Sequence, residues 1–212
     1  MASTDGSVTV PITPTLVGTN VLHVRAFDRA NNPSATNATY TFHVASKAPP
    51  KAVWSFNETS GTVAADSSGG NRPLTLSGAA SFASGYDGNA LALNGGFAAS
   101  GSTVVDTSRA FSVSAWARLD SKAGYATLVS GDGNRISSFY LQYAVDADRW
   151  AITTPSSDDD SPQSYARVLS AAAPQLGVWT HLLATYEPNS KALTLYVDGK
   201  AQGTDGGSGV EL

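Results

Sequence analysis

Two aspartates at alternate positions, Asp146 and Asp148 in the stretch AVDADRW, have the spacing that could make them act together. Side chains two residues apart on a strand share a face. Two carboxylates on one face are the equipment of glycoside hydrolysis, which needs them about 5 to 5.5 Å apart for retention or about 6.5 to 9.5 Å for inversion. This pair, however, falls between two strand-like runs, where turn geometry alone favours aspartate. The glutamates Glu58, Glu187 and Glu211 have no acidic neighbour at such spacing. No Gly-x-Ser-x-Gly elbow, His-rich tract or phosphate-cradling motif occurs, so the expectation is that the chain is not an enzyme.

The same region suits a second chemistry better. A sugar ring presents an apolar face that stacks on an aromatic side chain, while Asp and Asn take its hydroxyls. The densest aromatic and acidic group is Tyr140, Tyr143, Trp150 and Tyr165 with Asp146, Asp148 and the loop Asp158 to Asp160. These are the candidate ligand-binding residues, although part of the group suits core packing equally well. The stretch SSDDDSP itself reads as a solvated loop.

Positioning such residues requires a scaffold, and the composition indicates which. Hydrophobic residues make up 42% and charged residues 14%, with 20 Gly and 10 Pro, which suits many short strands joined by turns. Thirteen basic against seventeen acidic residues give a net charge of -4, so the broad basic face of a nucleic-acid binder is not expected. There is no cysteine, which removes disulfides, thiolate zinc sites and thiol catalysis. No apolar run reaches the about 20 residues of a membrane span, and the start MASTDGSV lacks the basic and apolar regions of a signal peptide.

Along the chain, NVLHVRAF and ATYTFHV alternate like strands on either side of the polar stretch DRANNPSATN, which predicts a hairpin. ASKAPPKA follows, and its proline pair cannot donate to a sheet ladder, so residues 47–52 read as a linker. Beyond it, AVWSFNE, LTLSG, NALALNG, AFSVSAWARLD, ATLVSGD, SSFYLQYAV, DRWAITT, YARVLSA, WTHLLATYE and ALTLYVDGK are all of strand length. Gly, Pro, Asn, Asp and Ser separate them. The best helix candidate, VLSAAAPQ, is cut short by Pro174. The expected class is all-β. In FSVSAWARL, Phe111, Val113 and Ala115 share one face and Ser112, Ser114 and Trp116 the other, whereas WTHLLATY is apolar on both and belongs inside a layered sheet. Trp54, Trp116, Trp150 and Trp179 all fall in expected strands, and core packing suits most of them.

Two resemblances sharpen this picture. GTNVLHVRAFDRANNPSATNATYTFHV resembles the final strands of a bacterial immunoglobulin-like domain. WSFNETSGTVAADSSGG, GYDGNALALNG, VDTSRAFSVSAWARL, SSFYLQY and WTHLLATYEPNSKALTLYVDGK, in that order, resemble the LamG-like family of concanavalin A-like jelly rolls. The implied fold is an antiparallel jelly-roll β-sandwich at 53–212, preceded at 1–46 by part of an immunoglobulin-like domain. The implied function is non-catalytic binding or adhesion, most readily of carbohydrate, within a larger secreted or cell-surface protein. The low Lys count and the Ala, Gly and Ser richness resemble secreted proteins of high-GC actinobacteria. A structural spacer or protein-interaction domain is the alternative, and a glycan hydrolase the least supported reading.

The resemblance also implies a bound Ca2+ near an Asp-x-Ser-Gly turn, which corresponds here to Asp66 and Asn71, with Glu58 as a further candidate. An Asx-turn closed by Asp66 is the other reading of that position. His181, with no second histidine nearby, reads as structural. Finally, the family continues with further strands after Leu-Tyr-Val-Asp-Gly, whereas AQGTDGGSGVEL is short and Gly-rich. This predicts a truncated or split piece with an open sheet edge, a template for a second polypeptide.

Overall fold

The computed structural model describes residues 16–44 and 48–205. The chain divides into two compact units, Met1–Pro49 and Pro50–Leu212. Every described element is a strand or an irregular connection, so the fold is all-β.

In the first unit, β1 (Gly18–Val24) and β2 (Ala38–Val44) pair antiparallel from Gly18↔Val44 to Val24↔Ala38. Asp28 organises their connection by accepting the N–H groups of Ala30 at 2.8 Å and Asn32 at 2.9 Å. Tyr40 and Phe42 stack 6.1 Å apart on one face. No residue in 16–44 is buried.

The second unit contains β3 (Val63–Ala64), β4 (Leu74–Ser77), β5 (Ser81–Ser84), β6 (Asn89–Ala92), β7 (Phe97–Ser100), β8 (Phe111–Arg118), β9 (Ala126–Asp132), β10 (Ser137–Ala144), β11 (Arg149–Pro155), β12 (Tyr165–Leu169), β13 (Trp179–Glu187), β14 (Ala192–Val197) and β15 (Lys200–Asp205). Two four-stranded antiparallel sheets, in the orders β12-β11-β10-β9 and β15-β14-β13-β8, form the main sandwich. Smaller sheets β3-β4-β7 and β5-β6 enclose a second core around Ala64, Leu74 and Leu76, packed by Trp54, Phe56, Phe82 and Leu91.

The main core follows from period-two alternation. Phe139, Leu141 and Tyr143 of β10 and Trp150 and Ile152 of β11 meet Ala117, Leu182, Ala184, Tyr186, Leu193 and Leu195 of the facing sheet. Tyr143 and Trp150 pair across the strands with rings edge to face at 6.3 Å. As expected from its pattern, β13 is an inner strand, between β14 and β8. Full burial of side chains of this size contributes about 1.5–3 kcal/mol each.

Two sequence expectations fail. AVWSFNE forms no strand: Trp54 makes only an isolated bridge to Asp66, and Phe56 takes a left-handed φ of 54°, which breaks the extended path. The tail after Lys200 was expected to be unfit for the sheet, yet Lys200–Asp205 pairs with β14 as β15. Asp198 and Gly199, at φ 49° and 75°, form the positive-φ turn that feeds a strand straight back into its neighbour. Backbone pairing then needs no bulky side chain.

Candidate functional site

The sandwich leaves the outer face of the β12-β11-β10-β9 sheet free of the main core. The register across it aligns Arg167, Thr153 and Tyr140 in one row, and Leu169, Ala151, Gln142 and Thr127 in the next. Tyr165 lies beside Pro155 at the edge strand. The centre of this face is polar and covered: Gln142 and Thr153 are each only 8% exposed. The Gln142 amide oxygen accepts the Thr127 hydroxyl at 3.4 Å. The Thr153 hydroxyl has no hydrogen-bond partner despite its burial, an unmet demand that costs stability unless something else supplies the partner.

Around this centre stand aromatic and charged groups. Tyr125 is 56% and Tyr165 53% exposed. The Arg167 guanidinium reaches Asp146 in a two-pronged pair, with both N···O distances 2.7 Å. The Tyr125 hydroxyl also bonds Asp146. The Asp146 carboxyl is held far below the usual carboxylate range, first by Arg167 and then by Tyr125. The same carboxylate raises the Tyr125 phenol. The Tyr140 hydroxyl accepts the Ser137 N–H at 3.1 Å, which fixes its ring.

The loops at one end of the sheet are tied together by Asp158. It accepts the N–H groups of Asn134 at 2.7 Å, Arg135 at 2.8 Å and Ile136 at 2.9 Å, and these bonds lower its own carboxyl. Arg135 pairs with Asp160 at 3.0 Å. The SSDDDSP stretch is therefore partly a clasp, in addition to being a solvated loop.

Of the expected ligand-binding residues, the structure brings Tyr140, Tyr165 and Asp146 to this face. Tyr143 and Trp150, at 1% and 2% exposure, belong instead to the core and cannot meet a ligand. The reason is strand parity: Tyr143 is an odd number of residues from Tyr140 and so points the other way. Asp148 takes a left-handed φ of 50° in the turn. It accepts the Tyr143 hydroxyl at 3.0 Å and pairs with Lys122 at 2.6 Å, and Lys122 in particular lowers its carboxyl. Sequence reasoning missed Tyr125, Gln142, Thr153 and Arg167. Parity gives a signal for two of them, since Gln142 and Arg167 stand two residues from Tyr140 and Tyr165.

The residues proposed for calcium divide. Both oxygens of Asp66 are occupied by N–H donors: Val53 at 3.0 Å and Ser68 at 2.9 Å on one, Arg72 at 3.0 Å on the other. These bonds, Val53 foremost, hold the carboxyl far below its ordinary range. The bond from the Ser68 N–H back to the Asp66 carboxylate closes an Asx-turn. Asn71 sits at φ 53° in the same turn. Glu58 accepts the Ala65 N–H at 2.7 Å through Oε1, which leaves Oε2 as its unpartnered oxygen. Among the described residues no three His, Asp or Glu side chains gather as a metal site. His181 lies on the outer face of β13, its backbone N–H donating to Asp198 at 2.9 Å.

Comparison with known proteins completes the picture. No curated protein matches the chain. The fold is similar to domain 4 of AbnA, a GH43 extracellular arabinanase from Geobacillus stearothermophilus solved in complex with arabinotriose. The TM-score is 0.56, at 18% identity over 73% of this chain and 74% of that one. An S-layer domain-containing protein from Clostridium thermocellum is similar at a TM-score of 0.44 and 23% identity, over 73% and 71% of the two chains. Residues 91–211 match a family described as the concanavalin A-like lectin/glucanases superfamily. With just over half its length in that match, and two antiparallel sheets packed face to face, the chain belongs to the concanavalin A-like lectin/glucanases superfamily.

Proposed function

We propose that the chain is a non-catalytic carbohydrate-binding module of a larger extracellular protein, and that it holds a glycan on the outer face of the β9 to β12 sheet. The observation that carries this reading is the pair of exposed rings, Tyr125 at 56% and Tyr165 at 53%, beside the two-pronged Arg167–Asp146 pair. Tyr125 and Tyr165 offer ring faces at the margin, and Asp146 and Arg167 offer an acceptor and donors beside them.

The two aspartates support a non-catalytic role. Each is bound to its own cation and held deprotonated, whereas a glycosidase needs one carboxyl kept protonated. The complex of the AbnA domain with arabinotriose lends weight to an oligosaccharide as the ligand class, and extracellular placement is inferred on the same footing. No helix among the described residues is long and apolar enough to cross a membrane.

The test is a glycan array followed by calorimetric titration of the best ligand. Arg167→Ala and Tyr165→Ala are each expected to weaken binding about tenfold or more, a loss of about 1.4 kcal/mol. Silence across the array, or full affinity in the double variant, would reject the reading and favour a spacer.

A further inference from the structure

The largest exposed aromatic group lies on the opposite side of the sandwich, on the outer face of β8 and β13. Trp116 is 45% and Tyr86 57% exposed. Their rings stack face to face, with centroids 3.8 Å apart and planes within 11°. Trp179 meets Tyr86 edge-on at 6.5 Å. His181, opposite Trp116 in the register, lies 5.3 Å from its ring. The Arg118 guanidinium sits 5.3 Å over Trp179.

Tyr86 is presented rather than merely left out. It occupies the turn between β5 and β6, closed by the Gly85 N–H donating to the Gly88 carbonyl at 2.9 Å. A Cβ on Gly85 would strike the Asn89 backbone, and one on Gly88, at φ 76°, would strike the Asn57 side chain. Substitution at either glycine would disturb the turn that carries Tyr86. Tryptophan placed only for packing is covered, as Trp150 is at 2% exposure; an exposed stack costs solvation and suits a ring-shaped partner.

We propose that Tyr86, Trp116 and Trp179 form a second glycan platform, on which rings of a neutral oligosaccharide stack while Arg118 and His181 meet its hydroxyls. Neutrality follows from charge. Arg118 gives two N–H groups to Asp120, at 2.9 and 3.1 Å, so its charge is already balanced while further donors of the fork stay open. The ligand class rests on the proposed function, whereas the site rests on these residues alone. A module with a site on each face would bridge two polysaccharide chains and gain avidity without new contacts.

The experiment is a two-dimensional NMR titration of the full chain with arabinotriose, xylotriose, cellotriose and mannotriose. The indole N–H signals of Trp116 and Trp179 would be assigned through Trp→Phe variants. Both signals are expected to shift with at least one sugar. Tyr86→Ala should weaken that titration about tenfold, while Tyr86→Phe and Arg167→Ala leave it nearly unchanged. Unmoved signals of Trp150 and the Thr153 amide in sugar-free Tyr86→Ala would show that the fold is intact. Shifts confined to the β9 to β12 sheet would overturn this site and leave the proposed function standing. Shifts confined to Trp116 and Trp179 would support this site and remove the other. Shifts nowhere would overturn both.

Discussion

At the scale of single residues, burial separates side chains that look alike in the sequence. Tyr143, Trp150 and Tyr165 read as one aromatic group, yet Trp150 is 2% exposed and Tyr165 53%. Trp150→Ala should therefore destabilise the fold by about 3–5 kcal/mol, whereas Tyr165→Ala should stay within about 0.5 kcal/mol while weakening glycan binding. Chemical denaturation beside calorimetry checks both; equal stability losses would sink the assignment. Asp66 and Asp146 make a prediction about pH. Their folded carboxyls are held below the unfolded value of about 4. Their stabilising bonds are thus complete above that value and are lost as pH falls through it toward the folded values. Melting temperature should decline on acidification below about pH 4, and Asp66→Asn should flatten part of that decline. A wild-type profile with no acid limb would contradict this.

At the scale of elements, most strands were legible because their signal is local. ATLVSGD and WTHLLATYE become β9 and β13 residue for residue, since alternation and turn residues fix both ends. The failures have physical reasons too: AVWSFNE is broken at Phe56 by a backbone angle no pattern announces, and β15 forms because the Asp198–Gly199 turn delivers it to β14. The candidate site was only half legible, because which strands lie side by side, and hence that Thr153 stands between Tyr140 and Arg167, is decided by long-range pairing. Glycines give the clearest test at this scale. A Cβ on Gly96 would land against the backbone of Ser77, Ala79 and Ala80, while one on Gly101 meets open space. Gly96→Ala should cost about 1–3 kcal/mol; Gly101→Ala should be neutral or stabilise by up to about 1 kcal/mol. Equal melting temperatures for the two would show that the β6 to β7 turn is looser than its geometry.

At the scale of the whole molecule, the two units differ in what holds them. The second carries its own paired sheets and two hydrophobic cores, which is what independent folding requires. The described part of the first is a two-stranded sheet with Val21, Val24, Phe27 and Tyr40 at least half exposed, and a lone hairpin is marginal in water. A chain starting at Pro50 should therefore keep the melting temperature of the second unit and its glycan titration. In the full chain, backbone amides of β1 and β2 should exchange with solvent far faster than those of β10 and β11, whose strands are buried on both faces. Both outcomes follow from where apolar surface is covered. A marked loss of stability on removing residues 1–49, or strong protection across the hairpin, would mean that the first unit draws on a hydrophobic partner which its own described residues do not supply.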